Sequence, residues 1–189
     1  DSSHTKTVYS AKTVTAATVP SAALKEAGEV ELQNAAIKMP ESVLSQLGDA
    51  DVDISVTEAD KDSLSLSPED KEKLGNSPVF DFSMSTAGNA VSNFNGKVTV
   101  TVPYNLQGGE DPENIAIWYI ADNGQTETIA ATYSYNADEM QGYATFETDH
   151  FSYYTVIRMS PAERCAFYGH DEVTETIAPS CNQQGYTKT

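Results

Sequence analysis

The chain is short of several things. Its 189 residues contain only two cysteines and three histidines, and a single tryptophan. Both cysteines, Cys165 and Cys181, fall near the end, so the main body has no thiol and no disulfide framework. Basic residues are scarce as well: 11 Lys and Arg stand against 28 Asp and Glu, a formal net charge of -17. Such a field repels phosphate backbones and anionic membranes, which excludes nucleic acid as an expected partner. No run of 18 apolar residues occurs, so no membrane insertion is expected. The first residues, "DSSHTKTVYSAKTVTAATV", lack the basic-then-apolar layout of a signal peptide. The segment is expected to be soluble, with any targeting sequence removed or upstream.

What is present suits a folded β protein. Hydrophobic residues make up 39% of the chain, enough for a core in one or two units. Two stretches echo each other, "VPSAALKEAG" at 19–28 and "MPESVLSQLG" at 39–48; each opens on Pro and closes on Gly. Pro presets a first helical turn and Gly takes a left-handed cap, so both predict short helices. Around them "KTVTAATV", "EVELQNAAIKM" and "DVDISVTEAD" alternate as strands. The polar stretch 61–78 predicts a surface loop with one short helix at Ser67-Pro68-Glu69-Asp70. From 79 the pattern is β: "VFDFSMST", "GKVTVTVPY", "IAIWYI", "TETIAATYSY", "YATFETDHF" and "SYYTVIRM". "IAIWYI" is apolar on both faces, as a central strand would be. The expected fold is mostly β, a β-sandwich with a few short helices and a small irregular Cys-containing tail. The expected boundaries are a sandwich at 1–160, divisible into 1–60 and 78–160 joined by 61–78, and a tail at 161–189.

Three stretches together carry a resemblance: "VPSAAL" with its echo, "GKVTVTVPYNLQGGEDPENIAIWYI" and "ATFETDHFSYYTV". They are similar to a module of large secreted and surface-layer or cell-wall-associated proteins of Gram-positive bacteria. The end motif His150-Phe151-Ser152 resembles that of ZU-type β-sandwiches, some relatives of which break their own chain there. The resemblance implies an extracellular location at the cell surface or wall. The implied partners are neighbouring domains of the same polypeptide, with cell wall or glycan beside them. If self-cleavage carries over, His150 is the base, Phe151 the acyl donor and Ser152 the nucleophile. The tail resembles the start of a Cys-containing surface repeat. A Cys-free, Lys-poor, acidic body agrees with secretion.

Each candidate site has a plainer competitor. Autoproteolysis would be an acyl shift of the Phe151 carbonyl onto the Ser152 oxygen, for which a neighbouring base offers roughly 100 to 10,000-fold. The plainer expectation is that Phe151 plugs the core at a strand corner. A hydrolase triad has little support: there is no G-x-S-x-G elbow, and strand alternation should turn Asp149 and His150 apart. Tyr133, Tyr135, Tyr143, Tyr153 and Tyr154 could line one face for a sugar, whereas Trp118 should be buried. No cofactor is expected, although "DADVD", "EADKD" and "GGEDPEN" carry the oxygen ligands calcium takes. None matches an EF-hand, and solvated charge is the favoured reading. Cys165 and Cys181 would stabilise the tail by about 3 kcal/mol as a disulfide. Zinc at Cys165, His170 and Cys181 is the competitor, one ligand short of a structural site. The expected function is a non-catalytic structural or spacer module of a bacterial surface protein. The alternatives are a self-processing domain and a carbohydrate- or adhesion-ligand-binding module.

Overall fold

Val98, Val100 and Val102 are buried while Thr99 and Thr101 between them are half exposed, the period-2 alternation of a strand with one face in a core. In the computed structural model, which describes residues 8–169, this strand is the middle of a sheet. In chain order the elements are β1 (Tyr9–Ala11), β2 (Ala16–Val19), α1 (Ser21–Ala27), β3 (Glu29–Leu32), β4 (Ala36–Lys38) and α2 (Glu41–Gln46). There follow β5 (Val52–Ala59), α3 (Pro68–Leu74), β6 (Val79–Thr86), β7 (Asn89–Ala90), β8 (Asn93–Pro103) and β9 (Ile115–Ile120). The last are β10 (Thr126–Ala130), β11 (Thr132–Asn136), β12 (Gln141–His150), β13 (Tyr153–Arg158) and α4 (Pro161–Tyr168).

Two sheets form. One runs β1-β3-β4-β8-β12-β11; the other runs β10-β9-β13-β6-β5-β2, with β7 attached to β6. Between them lies one core, from Val19 and Val30 through Ile54, Phe82 and Val100 to Phe146 and Val156. The fold is therefore a β-sandwich. Strands from 1–60 and from 78–160 are interleaved in both sheets, β4 beside β8 and β5 beside β6. The segment 61–78 is thus an excursion from one sandwich and not a link between two sub-parts.

That excursion has its own packing role. Along β9, Ile115 and Ile117 face the inter-sheet core, whereas Ala116, Trp118 and Ile120 face outward. The outward side is covered by Leu64, Leu66 and Leu74 from the excursion, with Ile157 and Met159. This second layer explains why "IAIWYI" is apolar on both faces. Lys73 of α3 sits over the Trp118 ring, 5.5 Å from its centroid, and pairs with Glu163 of α4. α4 starts with a capping box, Ser160 Oγ accepting from the Glu163 amide and Glu163 accepting from the Ser160 amide. The first part of the tail is accordingly a helix held on the sandwich, where composition had suggested irregular chain.

The two Pro-to-Gly stretches form α1 and α2. Gly28 and Gly48 after them take φ of 69° and 72°, the left-handed cap that residues with a Cβ adopt at a cost. Two strand readings needed division. "EVELQNAAIKM" is an antiparallel hairpin, β3 and β4, broken where Asn34 turns aside to bond the Val56 carbonyl. "TETIAATYSY" crosses between sheets at Ala131, so β10 edges one sheet and β11 the other.

Candidate functional site

β12 and β13 belong to different sheets, and Phe151-Ser152 is the step between them. The tripeptide His150-Phe151-Ser152 therefore turns a corner of the sandwich. Just before it, the pairing of β12 with β8 slips between Thr148 and His150, a β-bulge. A bulge inserts a residue and resets the alternation of side chains. Asp149 and His150 consequently do not point apart: His150 Nδ1 lies 2.8 Å from Asp149 Oδ1. The expectation drawn from alternation is corrected here. The hydrogen bond from His150 is the main cause that holds the Asp149 carboxyl below its ordinary range.

The backbone at the corner is tied down by buried hydroxyls. The Thr148 and Tyr154 hydroxyls lie 2.7 Å apart, and the His150 carbonyl is 3.0 Å from the first and 2.7 Å from the second. Tyr154 is 1% exposed, and burial pushes its phenol well above the usual tyrosine value. Burying such polar groups costs little only when they bond one another, and here they do. The His150 ring stands edge-on to Tyr119 at 4.6 Å.

Phe151 and Ser152 are spent in the same way. The Phe151 amide donates to the Ser92 carbonyl at 2.9 Å. Its ring meets Phe94 edge-on at 4.8 Å and Phe82 at 5.5 Å. The Ser152 carbonyl accepts from the Phe82 amide at 3.0 Å, and its Oγ donates to the Ile120 carbonyl at 3.4 Å. Among the described residues no hydrogen bond joins His150 to Ser152. Among the described residues the non-glycine positions with positive φ are Ala87 and Met140, so neither Phe151 nor Ser152 has the left-handed strain that would weaken the bond between them.

The other candidates separate. Of the five tyrosines, Tyr154 is in the core, Tyr153 packs on the outer layer with Trp118, and Tyr133 covers Gly142 on the inner side of β11. Tyr135, in register with Gly142 on the same side of β11 as Tyr133, is exposed at the end of the strand. Of the five only Tyr143 lies on the outward face of the six-stranded sheet with polar neighbours, so the five do not share one face. The acidic stretches hold the fold. Asp53 accepts from Thr18, Asp49 pairs with Lys25 at 3.0 Å, and Asp60 accepts from the Asp62 amide. Glu110 accepts from the Tyr104 hydroxyl and the Gln107 amide, each at 2.9 Å, and pairs with Arg158. Among the described residues no three His, Cys, Asp or Glu side chains converge on a metal position. Cys165 is buried in α4. Cys181 and His170, and with them the disulfide and zinc readings, lie outside the described residues, as does His4.

Two features were missed in the sequence. The Ser160-Pro161-Ala162-Glu163 cap repeats the Ser-Pro-acidic signature read at Ser67 and could have been found by the same rule. The Asp149–His150 pair could not, because it depends on a bulge. In the wider comparison no protein-family model matches the chain, and no curated protein matches it.

Proposed function

We propose that this chain is a non-catalytic structural module of a larger bacterial cell-surface protein, spacing or supporting its neighbours. The observation that carries the non-catalytic part is the use of the end motif as a corner. The His150 carbonyl, the Phe151 amide and the Ser152 carbonyl and hydroxyl all bond the sandwich, and the Phe151 ring is packed against Phe82 and Phe94. The surface location rests on the resemblance and agrees with the net charge of -17 and the Cys-free body.

One observation favours the self-processing reading. Asp149 orients His150 at 2.8 Å, as a carboxylate orients a catalytic base. Against it, the acyl shift needs the Ser152 oxygen over the Phe151 carbonyl carbon, and that oxygen is turned to Ile120. Intact mass after prolonged incubation at neutral pH separates the two. A single full-length species, the same in the parent and in Ser152→Ala, is expected. Fragments divided between Phe151 and Ser152, absent from Ser152→Ala, would overturn the structural reading.

A further inference from the structure

The outward face of the six-stranded sheet holds a trough of about 570 Å³. It exists because the middle of the face is low: Ala36 of β4 and Thr101 of β8 form a register pair with short side chains. Glu29 and Glu31 of β3 rise on one side, and Tyr143 with Gln141 of β12 on the other. Strand pairing already uses the backbone of this face. Whatever binds there is recognised by side chains alone, unlike a peptide added to a sheet edge.

The side chains have unspent hydrogen-bonding capacity. Among the described residues the side-chain amide of Gln33 and the Glu29 carboxylate make no hydrogen bond, and the side-chain nitrogen of Asn136 donates none, its oxygen accepting from the Asp138 and Glu139 backbone amides. Amides both donate and accept, as a sugar hydroxyl does. Tyr143 supplies an aromatic ring at the wall. Its hydroxyl donates to Glu139 at 2.5 Å, which fixes the ring and pushes the phenol up to about 12. Charge narrows the ligand further. Lys12 is neutralised by Glu31 at 3.5 Å and Glu139 at 3.8 Å, leaving the trough net negative. Anionic glycans are repelled.

We infer that this trough binds an extended, uncharged polysaccharide, with Tyr143 as the stacking platform and, as hydroxyl partners, the Gln33 side chain, the Asn136 side-chain nitrogen and the Gln141 side-chain oxygen, the Gln141 nitrogen being already bonded to Asn105 and to the Gly142 carbonyl. This goes beyond the structural reading and does not rest on it, since a corner that stays uncut says nothing about the outer face. A basic peptide drawn by the carboxylates is the competing occupant.

Native affinity electrophoresis tests it, using hydroxyethyl cellulose, xyloglucan, galactomannan and soluble starch as neutral probes and polygalacturonate as the anionic control. An oligolysine peptide is titrated separately by fluorescence anisotropy. Retardation by at least one neutral polysaccharide and none by polygalacturonate is expected. Tyr143→Ala should weaken it about ten-fold, the worth of one good stacking contact, while Tyr143→Phe retains most of it. Gln33→Ala, on the surface, should weaken binding without affecting the fold. No retardation by any neutral probe would overturn the inference. So would retardation indifferent to both Tyr143→Ala and Gln33→Ala, or binding of oligolysine alone.

Discussion

If Phe151 is a core anchor at the corner, its truncation must cost what a core aromatic costs. The ring is 7% exposed and meets Phe94 at 4.8 Å and Phe82 at 5.5 Å. Phe→Ala in a core costs about 3–5 kcal/mol, of which aromatic contacts supply roughly 0.5–1.5 kcal/mol each beyond area burial. Phe151→Ala should therefore lose about 3–5 kcal/mol, and Phe151→Leu, which keeps much of the volume, about 1–2 kcal/mol. The neighbour behaves differently. Ser152 Oγ reaches the Ile120 carbonyl only at 3.4 Å, a long contact, so Ser152→Ala should cost under about 1 kcal/mol. Guanidinium unfolding followed by circular dichroism measures all three on one scale. A loss below about 1 kcal/mol for Phe151→Ala would refute the anchoring argument, because a buried ring that tightly flanked has no cheap replacement.

Three further outcomes follow from other parts of the molecule. A Cβ on Gly142 would overlap the Tyr133 hydroxyl and the Tyr104 carbonyl, so Gly142→Ala should lower thermal stability by about 1–3 kcal/mol. Tyr133→Phe, which leaves the Tyr104 carbonyl in place, should not rescue it. Leu74, the fully buried last residue of α3, should cost about 2–5 kcal/mol as Leu74→Ala. Because it belongs to the outer layer, hydrogen exchange should speed up in 61–78 more than in β8; uniform acceleration would count against a separate layer. Tyr143 is raised to about 12, chiefly by its hydrogen bond to Glu139. A raised folded-state value gives stabilisation that is whole below the ordinary tyrosine range near pH 10 and lost as pH rises through about 12. Tyr104 is pushed up to about 12 as well and Tyr154 is also raised, so an alkaline absorbance titration should show a late step of several tyrosines. Glu139→Ala should move one tyrosine's share of it back toward 10; an undiminished late step would refute the assignment.

Much of the fold was legible because alternation survives wherever a strand buries a single face. β5, β6, β8 and β13 lie where their patterns placed them, and Pro and Gly marked α1 and α2 at both ends. The misses share a cause in tertiary pairing. At Ala131 the chain changes sheets without a Gly or Pro, so nothing local separates β10 from β11. At 33–35 the hydrophobic series continues across a hairpin, since Leu32 and Ala35 are both buried. The same limit governs the candidate sites. That Phe151 anchors a corner could be read from its place before an apolar strand. The Asp149–His150 contact required knowing the bulge, and the trough required knowing that β3, β4, β8 and β12 lie side by side.

The place of β13 also bears on how the sandwich would respond to being pulled. It is an interior strand, bonded to β9 on one side and β6 on the other, and it leads directly into α4. Tension arriving through α4 cannot peel it away one bond at a time, as it could an edge strand. It has to slide β13 past two neighbours at once while drawing Phe151 out from between Phe82 and Phe94. The corner would then act as a mechanical stop against tension applied through α4.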